Sequence, residues 1–251
     1  MSNKDVALLV AEAPWFSPKD NVGQATGLPF FEGVSRLVNA SITDSRFNIY
    51  SSNYYDNSSL EKALDHLVNT REPRQILYLG GHGDGKKVSG ATISKASSLI
   101  RDRGEKIKGL ILSSCWGGLS DKISKATEYG FDPKSGVAKM VNGPNWVVAY
   151  KHPVAWFESA MIETSLIKTF AEAYMDGGVN SREAIFDQLV FALRAFSIED
   201  NIGFDQNDNA SLSVKDTLRF WIRPQGAEYP TEITDEIFVA LSDIQGYSDD
   251  K

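Results

Sequence analysis

The chain has 251 residues, 42% of them hydrophobic and 24% charged, an ordinary composition for a folded protein with a sizeable core. Its formal charge of −7 and the lack of any Lys/Arg cluster argue against direct binding to nucleic acid. Cys115 is the single cysteine, which excludes an intramolecular disulfide and a multi-cysteine metal site, and no stretch approaches the roughly 18 apolar residues of a membrane span.

The N-terminal apolar run, Val6 to Ala11, is closed by Glu12 and Pro14, so residues 5–11 read as a first strand. The run is too short for a secretory signal and no small-residue cleavage site follows it, which makes the cytoplasm the expected location. A Pro/Gly-bearing loop is expected over 12–29. Residues 31–40 suit a helix with Val34, Leu37 and Val38 on one face, and 46–51 (RFNIYS) alternate as a strand. Ser58-Ser59-Leu60-Glu61 reads as a capping box before a helix whose stripe is Leu60, Leu64, Leu67 and Val68; His66 lies off that stripe.

Residues 75–79 form the expected third strand, 94–103 a helix closed by Gly104, 108–113 the fourth strand and 145–150 the fifth. One helix then carries Ile162, Leu166, Phe170 and Tyr174 and ends at Gly177-Gly178. Another starts at Asn180-x-x-Glu183 and carries Ile185, Leu189, Leu193 and Phe196. The polar stretch 197–215 reads as a surface loop, with mobility expected. Residues 218–222 (LRFWI), stopped by Pro224, read as a sixth strand near an edge. Short apolar strands alternating with helices predict one α/β domain over 1–251, with a mostly parallel six-stranded sheet and helices on both faces.

The stretch LYLGGHGDGKK, residues 77–87, fits two chemistries. Gly80 to Lys86 matches G-x-x-x-x-G-K, a phosphate-cradling loop of nucleotide-binding or nucleotide-hydrolysing proteins. Such a loop needs a Ser or Thr next and an immediate helix; here Lys87 and then Val88-Ser89-Gly90 follow. The second reading takes His82 as a group presented at a strand end. The next strand ends Ser113-Ser114-Cys115-Trp116-Gly117-Gly118, and parallel sheets gather ligands outside the carboxyl ends of their strands. Adjacent strands would bring His82 to Cys115, as a base must lie to take the thiol proton. The amides of Gly83 and Cys115 would face a tetrahedral oxyanion, and a helix expected near Ser120 would favour the thiolate.

An apolar strand ending Gly-His-Gly, followed by one ending Ser-Cys-x-Gly-Gly, resembles the caspase-like cysteine peptidases, nearest the bacterial caspase-like and CHAT branch. Val147 to Tyr150, followed by His152-Pro153-Val154 and two helices, is similar to the corresponding region of CHAT domains. The resemblance covers most of the chain. It implies a caspase-like three-layer sandwich with an antiparallel last strand, and endopeptidase chemistry with His82 as base and Cys115 as nucleophile. It also implies a protein or peptide substrate, and control by a partner or ligand in bacterial stress or defence proteolysis. With no sensor domain in the sequence, another protein is the expected regulator. The chemistry needs no metal and no cofactor. Because Ser113-Ser114 replace the QAC-type signature, aspartate specificity is not implied. A non-catalytic binding module on the same fold is the further alternative.

Around this dyad, Glu158 and Glu12 fall at the expected active edge, and either carboxylate would favour a basic P1 side chain; each also reads as a solvated loop residue. Trp156 and Phe157 read as pocket wall or as core. His152 is the rival base or a pocket-lining residue, and Asp84 either orients His82 or serves the turn.

Overall fold

The structure, a computed structural model, describes residues 4–14, 26–42, 44–131 and 140–246, so most of the loop expected over 12–29 lies outside the described residues. Strand β1 (Val6–Glu12) is buried along its whole length. A strand covered on both faces has no solvent side to make polar, which is why it reads as an unbroken apolar run. Strands β2 (Phe47–Asn53), β3 (Arg74–Gly80), β4 (Ile107–Ser113) and β5 (Trp146–Tyr150) extend the sheet in parallel. Strand β6 (Leu218–Ile222) pairs antiparallel with β5, and the two-residue β7 (Thr231–Glu232) pairs antiparallel with β6.

The order is β7-β6-β5-β4-β3-β1-β2. The sheet therefore has seven strands where the sequence predicted six; β7 is too short to carry any periodicity. Pro224 falls beyond β6, where no ladder amide is required of it.

Helices α1 (Leu28–Ser41), α4 (Trp156–Asp176), α5 (Arg182–Leu193) and α6 (Thr234–Gln245) cover one face, packing on Val6, Leu8, Val10, Tyr78, Ile111 and Tyr150. Helices α2 (Asn57–Leu67) and α3 (Ile93–Asp102) cover the other, on Ala7, Leu9, Leu77, Leu79, Leu110 and Leu112. The alternation along the central strands thus divides their buried residues between two cores. Gly109 shows how closely the first of them fits: a Cβ there would lie 1.9 Å from Cζ2 of Trp146. That indole stacks on Phe170 at 4.1 Å and donates to the Tyr174 hydroxyl at 3.0 Å.

Four local expectations change. The capping box begins at Asp56 rather than Ser58: Ser59 N donates to Asp56 Oδ1 (2.7 Å) and Asp56 N to Ser59 Oγ (2.9 Å). Glu61, freed from capping, pairs with Arg103 at 3.1 Å. Helix α5 is capped by Ser181, whose hydroxyl accepts from the Ala184 amide at 3.1 Å, not by Asn180. The stretch 197–215 contains a hairpin, Asn201–Asp205 against Ala210–Ser213, anchored by a bridge between Val154 and Gly203. The helix expected near Ser120 is absent among the described residues; turns, the 3-10 helix Ser124–Thr127 and the hairpin Tyr129–Phe131 with Met140–Asn142 carry the chain from β4 to β5.

Candidate active site

Strands β3 and β4 are neighbours, with Gly80 level with Ser113. His82 and Cys115 each lie two residues past that pair, so the two loops leave the sheet at the same height. The Gly81 amide donates to the Ser113 carbonyl at 3.1 Å, carrying the ladder one step further. Beyond it the loops touch. A Cβ at Gly83 would lie 2.0 Å from the Cys115 carbonyl oxygen and 2.2 Å from Ser114 Oγ, so only glycine lets the His82 loop close on the Cys115 loop. His82 is exposed and Cys115 half-buried.

The remainder of the glycine loop is a turn. Asp84 Oδ1 accepts from the amides of Lys86 (2.8 Å) and Lys87 (2.7 Å), and those backbone bonds hold its carboxyl below the usual range. Residues 87–88 pair with 91–92, Gly83 bridges Val88, and the Ser89 amide donates to the His82 carbonyl at 2.5 Å. Helix α3 begins only at Ile93. A phosphate cradle needs open amides and an immediate helix N-terminus. Here a carboxylate already holds two of the amides, and Asp84 serves the turn.

The Cys115 loop is held from three directions. The Gly117 amide donates to the Ser114 carbonyl (3.0 Å) and the Gly118 amide to the Tyr150 carbonyl at the end of β5 (2.8 Å). Arg219 on β6 donates to the Gly118 carbonyl at 2.9 Å and to Asp121 at 2.8 Å. Trp116, directly after the cysteine, has φ +56°, a left-handed conformation that costs a non-glycine residue roughly 1–2 kcal/mol. Strain of this kind collects at sites where the chain is made to present a side chain. Among the described residues no α-helix begins directly after Cys115, so the helix-dipole support expected for the thiolate is missing.

Gly83→Ala should damage this junction more than any other single methyl in the loop. Either the 2.0 Å contact is relieved by moving the Cys115 backbone, or the His82 loop lifts away. Overpacking of this kind costs about 1–3 kcal/mol. We expect a lower thermal melt together with slowed alkylation of Cys115; an unchanged melt and unchanged labelling would mean that the loops are not coupled.

The proposed substrate residues do not form one group. Glu158 is exposed in the first turn of α4. With Phe157, Met161, Phe196, Asp200 and Ile202 it lines an open recess of about 370 Å³ between α4 and the 201–213 hairpin. That recess shares no lining residue with the His82 and Cys115 loops. Trp156 is half-buried and its ring packs on Phe30 of α1 at 5.9 Å, so it joins two helices. Phe157, 56% exposed, meets the same Phe30 ring edge-on at 6.0 Å between centroids. His152 is half-buried just past β5. Glu12 is 6% exposed, and its carboxylate accepts from Thr26 Oγ1 (2.5 Å) and the Gly27 amide (3.4 Å), tying the entry of α1 to β1.

A polar layer beneath the loops was not anticipated. Glu12 pairs with Gly80, Gly80 with Ser113, and Leu112 with Ala149, which places Ser113 level with Tyr150. These residues end β1, β3, β4 and β5 on the face that α4 covers, and the Tyr78 ring lies over Gly80, whose missing Cβ would be 2.7 Å from it. Above them α4 places Glu163, 1% exposed. The hydroxyls of Ser113, Tyr150 and Tyr78 are near enough to favour its ionised form, yet neither carboxyl oxygen reaches hydrogen-bond geometry with any partner. Burial dominates and pushes the group up to about 8, with the Glu12 carboxylate adding to the rise. The sequence does carry a signal for it: Glu163 stands four residues before Ile167 and seven before Phe170, on an apolar helix face.

Among the described residues no group of three or more His, Cys, Asp or Glu is placed to hold a metal ion, and no helix is long and apolar enough to cross a membrane. No protein-family model and no curated protein matches the chain.

Proposed function

We propose that the chain is a cysteine endopeptidase of the caspase-like class, with Cys115 as nucleophile and His82 as general base. The observation that carries the reading is the junction at Gly83, where the histidine loop closes against the carbonyl of the cysteine itself. His82 takes the thiol proton, and the sulfur attacks the scissile carbonyl carbon. The amides of Gly83 and Cys115, which donate to none of the loop bonds described above, stabilise the oxyanion. His82 then gives its proton to the departing amine, and water, deprotonated by His82, hydrolyses the thioester. Neither metal nor cofactor enters these steps. A cytoplasmic protein with this chemistry requires restraint, and control by a partner protein in bacterial stress or defence proteolysis fits the sequence resemblance.

Cleavage of a peptide library by wild type and by Cys115→Ala tests the activity: cuts made by the first and lost in the second support it, and equal cleavage by both overturns it. The same library reads side-chain preference. Glu158 and Asp200 give the recess two carboxylates beside apolar walls, a setting for a Lys or Arg side chain of the substrate. Both carboxylates are exposed, so a pair with either is worth no more than about 1 kcal/mol. Glu158→Gln should therefore lose preference for basic substrates by no more than about fivefold, with neutral substrates little changed. Glu12→Gln should leave the preference intact, since the Glu12 carboxylate holds Thr26 and Gly27. Unchanged preference in Glu158→Gln would remove the acidic-recess idea.

A further inference from the structure

We propose that Glu163 is a positioning residue for Cys115: its buried carboxyl, set against the end of β4 at Ser113, keeps residues 113–115 in the conformation that presents the thiol. The purpose of this device rests on the peptidase reading, whereas its test does not. Glu163 is the only charged-type side chain that α4 sends into the polar layer described above, and that layer ends four adjacent strands one level beneath the His82 and Cys115 loops. Ser113 is the shared part. It faces Glu163 on one side, and two residues later the chain is Cys115.

The groups facing Glu163 are Glu12 from β1, Tyr78 from β3, Ser113 from β4 and Tyr150 from β5. None is a cation. Burial keeps both tyrosines well above their ordinary range, so they remain neutral hydroxyls. Of the charged residues on the helices packed beside α4, Glu32 and Arg36 on α1 and Glu183 and Asp187 on α5 are exposed, while Arg182 on α5 is half-buried and pairs with Glu236 at 2.5 Å. A protonated carboxyl can sit among hydroxyls, offering one donor and accepting at its other oxygen. A carboxylate in the same place has no counter-ion among the described residues, faces Glu12, and must draw in water or move. The end of β4 is what it would move. Ser114 Oγ, also buried without a hydrogen-bond partner, lies on the far side of that strand end against Gly83, so a movement of Ser113 is passed to the junction of the His82 and Cys115 loops.

Cys115 is the single thiol, so iodoacetamide labelling read by mass reports on it alone. The rate is measured from pH 6 to 9.5 in wild type and in Glu163→Gln, which keeps a neutral, planar hydrogen-bonding group. Both proteins share the titration of the thiol itself, so their ratio isolates Glu163. Ionisation in wild type should shift residues 113–115 out of the conformation that presents the thiol to His82. The ratio of wild-type to variant rate should then fall threefold or more between pH 7 and 9, whatever its value at pH 7. A ratio constant across the range overturns the proposal. If Glu163→Gln does not fold, Tyr150→Phe serves: it removes a hydroxyl that favours the carboxylate, so the wild-type fall must move to higher pH, and an unmoved fall overturns the proposal equally. Failure of wild type to cleave any peptide would count against the peptidase reading while leaving this ratio readable.

Discussion

Cys115→Ala and His82→Ala are each expected to abolish peptide cleavage while leaving the thermal melt nearly unchanged. His82 is exposed at a loop tip, and a surface substitution of that kind usually moves stability by no more than about 0.5 kcal/mol. Activity responds on a different scale. General-base assistance alone is worth roughly 10²–10⁴-fold, and loss of the nucleophile removes the covalent route altogether. Residues acting as one unit are strongly non-additive, so the double variant should be no worse than Cys115→Ala. A His82→Ala protein retaining full cleavage would return attention to His152, the other histidine at this sheet edge. A large drop in the melt of either variant would assign the residue to the fold.

The second large effect is on stability. With a carboxyl at about 8 in the folded protein and an ordinary value of 4.5, Glu163 stays protonated across a window in which the unfolded chain has released the proton. The folded state then binds more protons than the unfolded one, so stability falls as pH rises from about 4.5 to about 8 and is flat beyond. Each unit is worth about 1.4 kcal/mol, which makes the whole window worth on the order of 3–5 kcal/mol. Glu163→Gln removes that slope. Denaturant unfolding should find variant and wild type closely matched at pH 4.5, with the variant more stable by a few kcal/mol at pH 8. Parallel stability curves for the two proteins would show that Glu163 does not titrate in this window.

The fold was readable where one physical signal dominated. Strands buried on both faces, such as residues 6–12 and 107–113, announce themselves as continuous apolar runs, and residues 218–222 were located to the residue. The meeting of the two strand ends was readable because His82 and Cys115 each sit in a glycine context directly after such a run. What failed was local. Asp56 rather than Ser58 opens α2 because the backbone extends at Asp56, and several Ser and Asp nearby offer equivalent letters. The helix expected after Gly117-Gly118 gave way to turns, because Gly118 bonds to the end of β5 and Arg219 pins its carbonyl; both partners are distant in sequence.

The substrate residues were the weakest part of the reading, for a related reason. Glu12 ends β1 and Glu158 opens α4 after β5, but position in the chain does not say which way a side chain turns. Glu12 turns inward to Thr26, and Glu158 outward to the recess with Asp200. Glu163 was hidden in plain view on an apolar helix face, because its meaning depends on Glu12, Tyr78, Ser113 and Tyr150 arriving from four different strands.

The central claim is that an imidazole from one strand end activates a thiol at the next, and labelling of Cys115 in the native protein tests it without substrate or activator. Wild type should react with iodoacetamide at pH 7 while folded, and His82→Ala should react at least tenfold more slowly with its melt unchanged. Labelling that appears only on unfolding, or equal rates in the two proteins, would contradict the account.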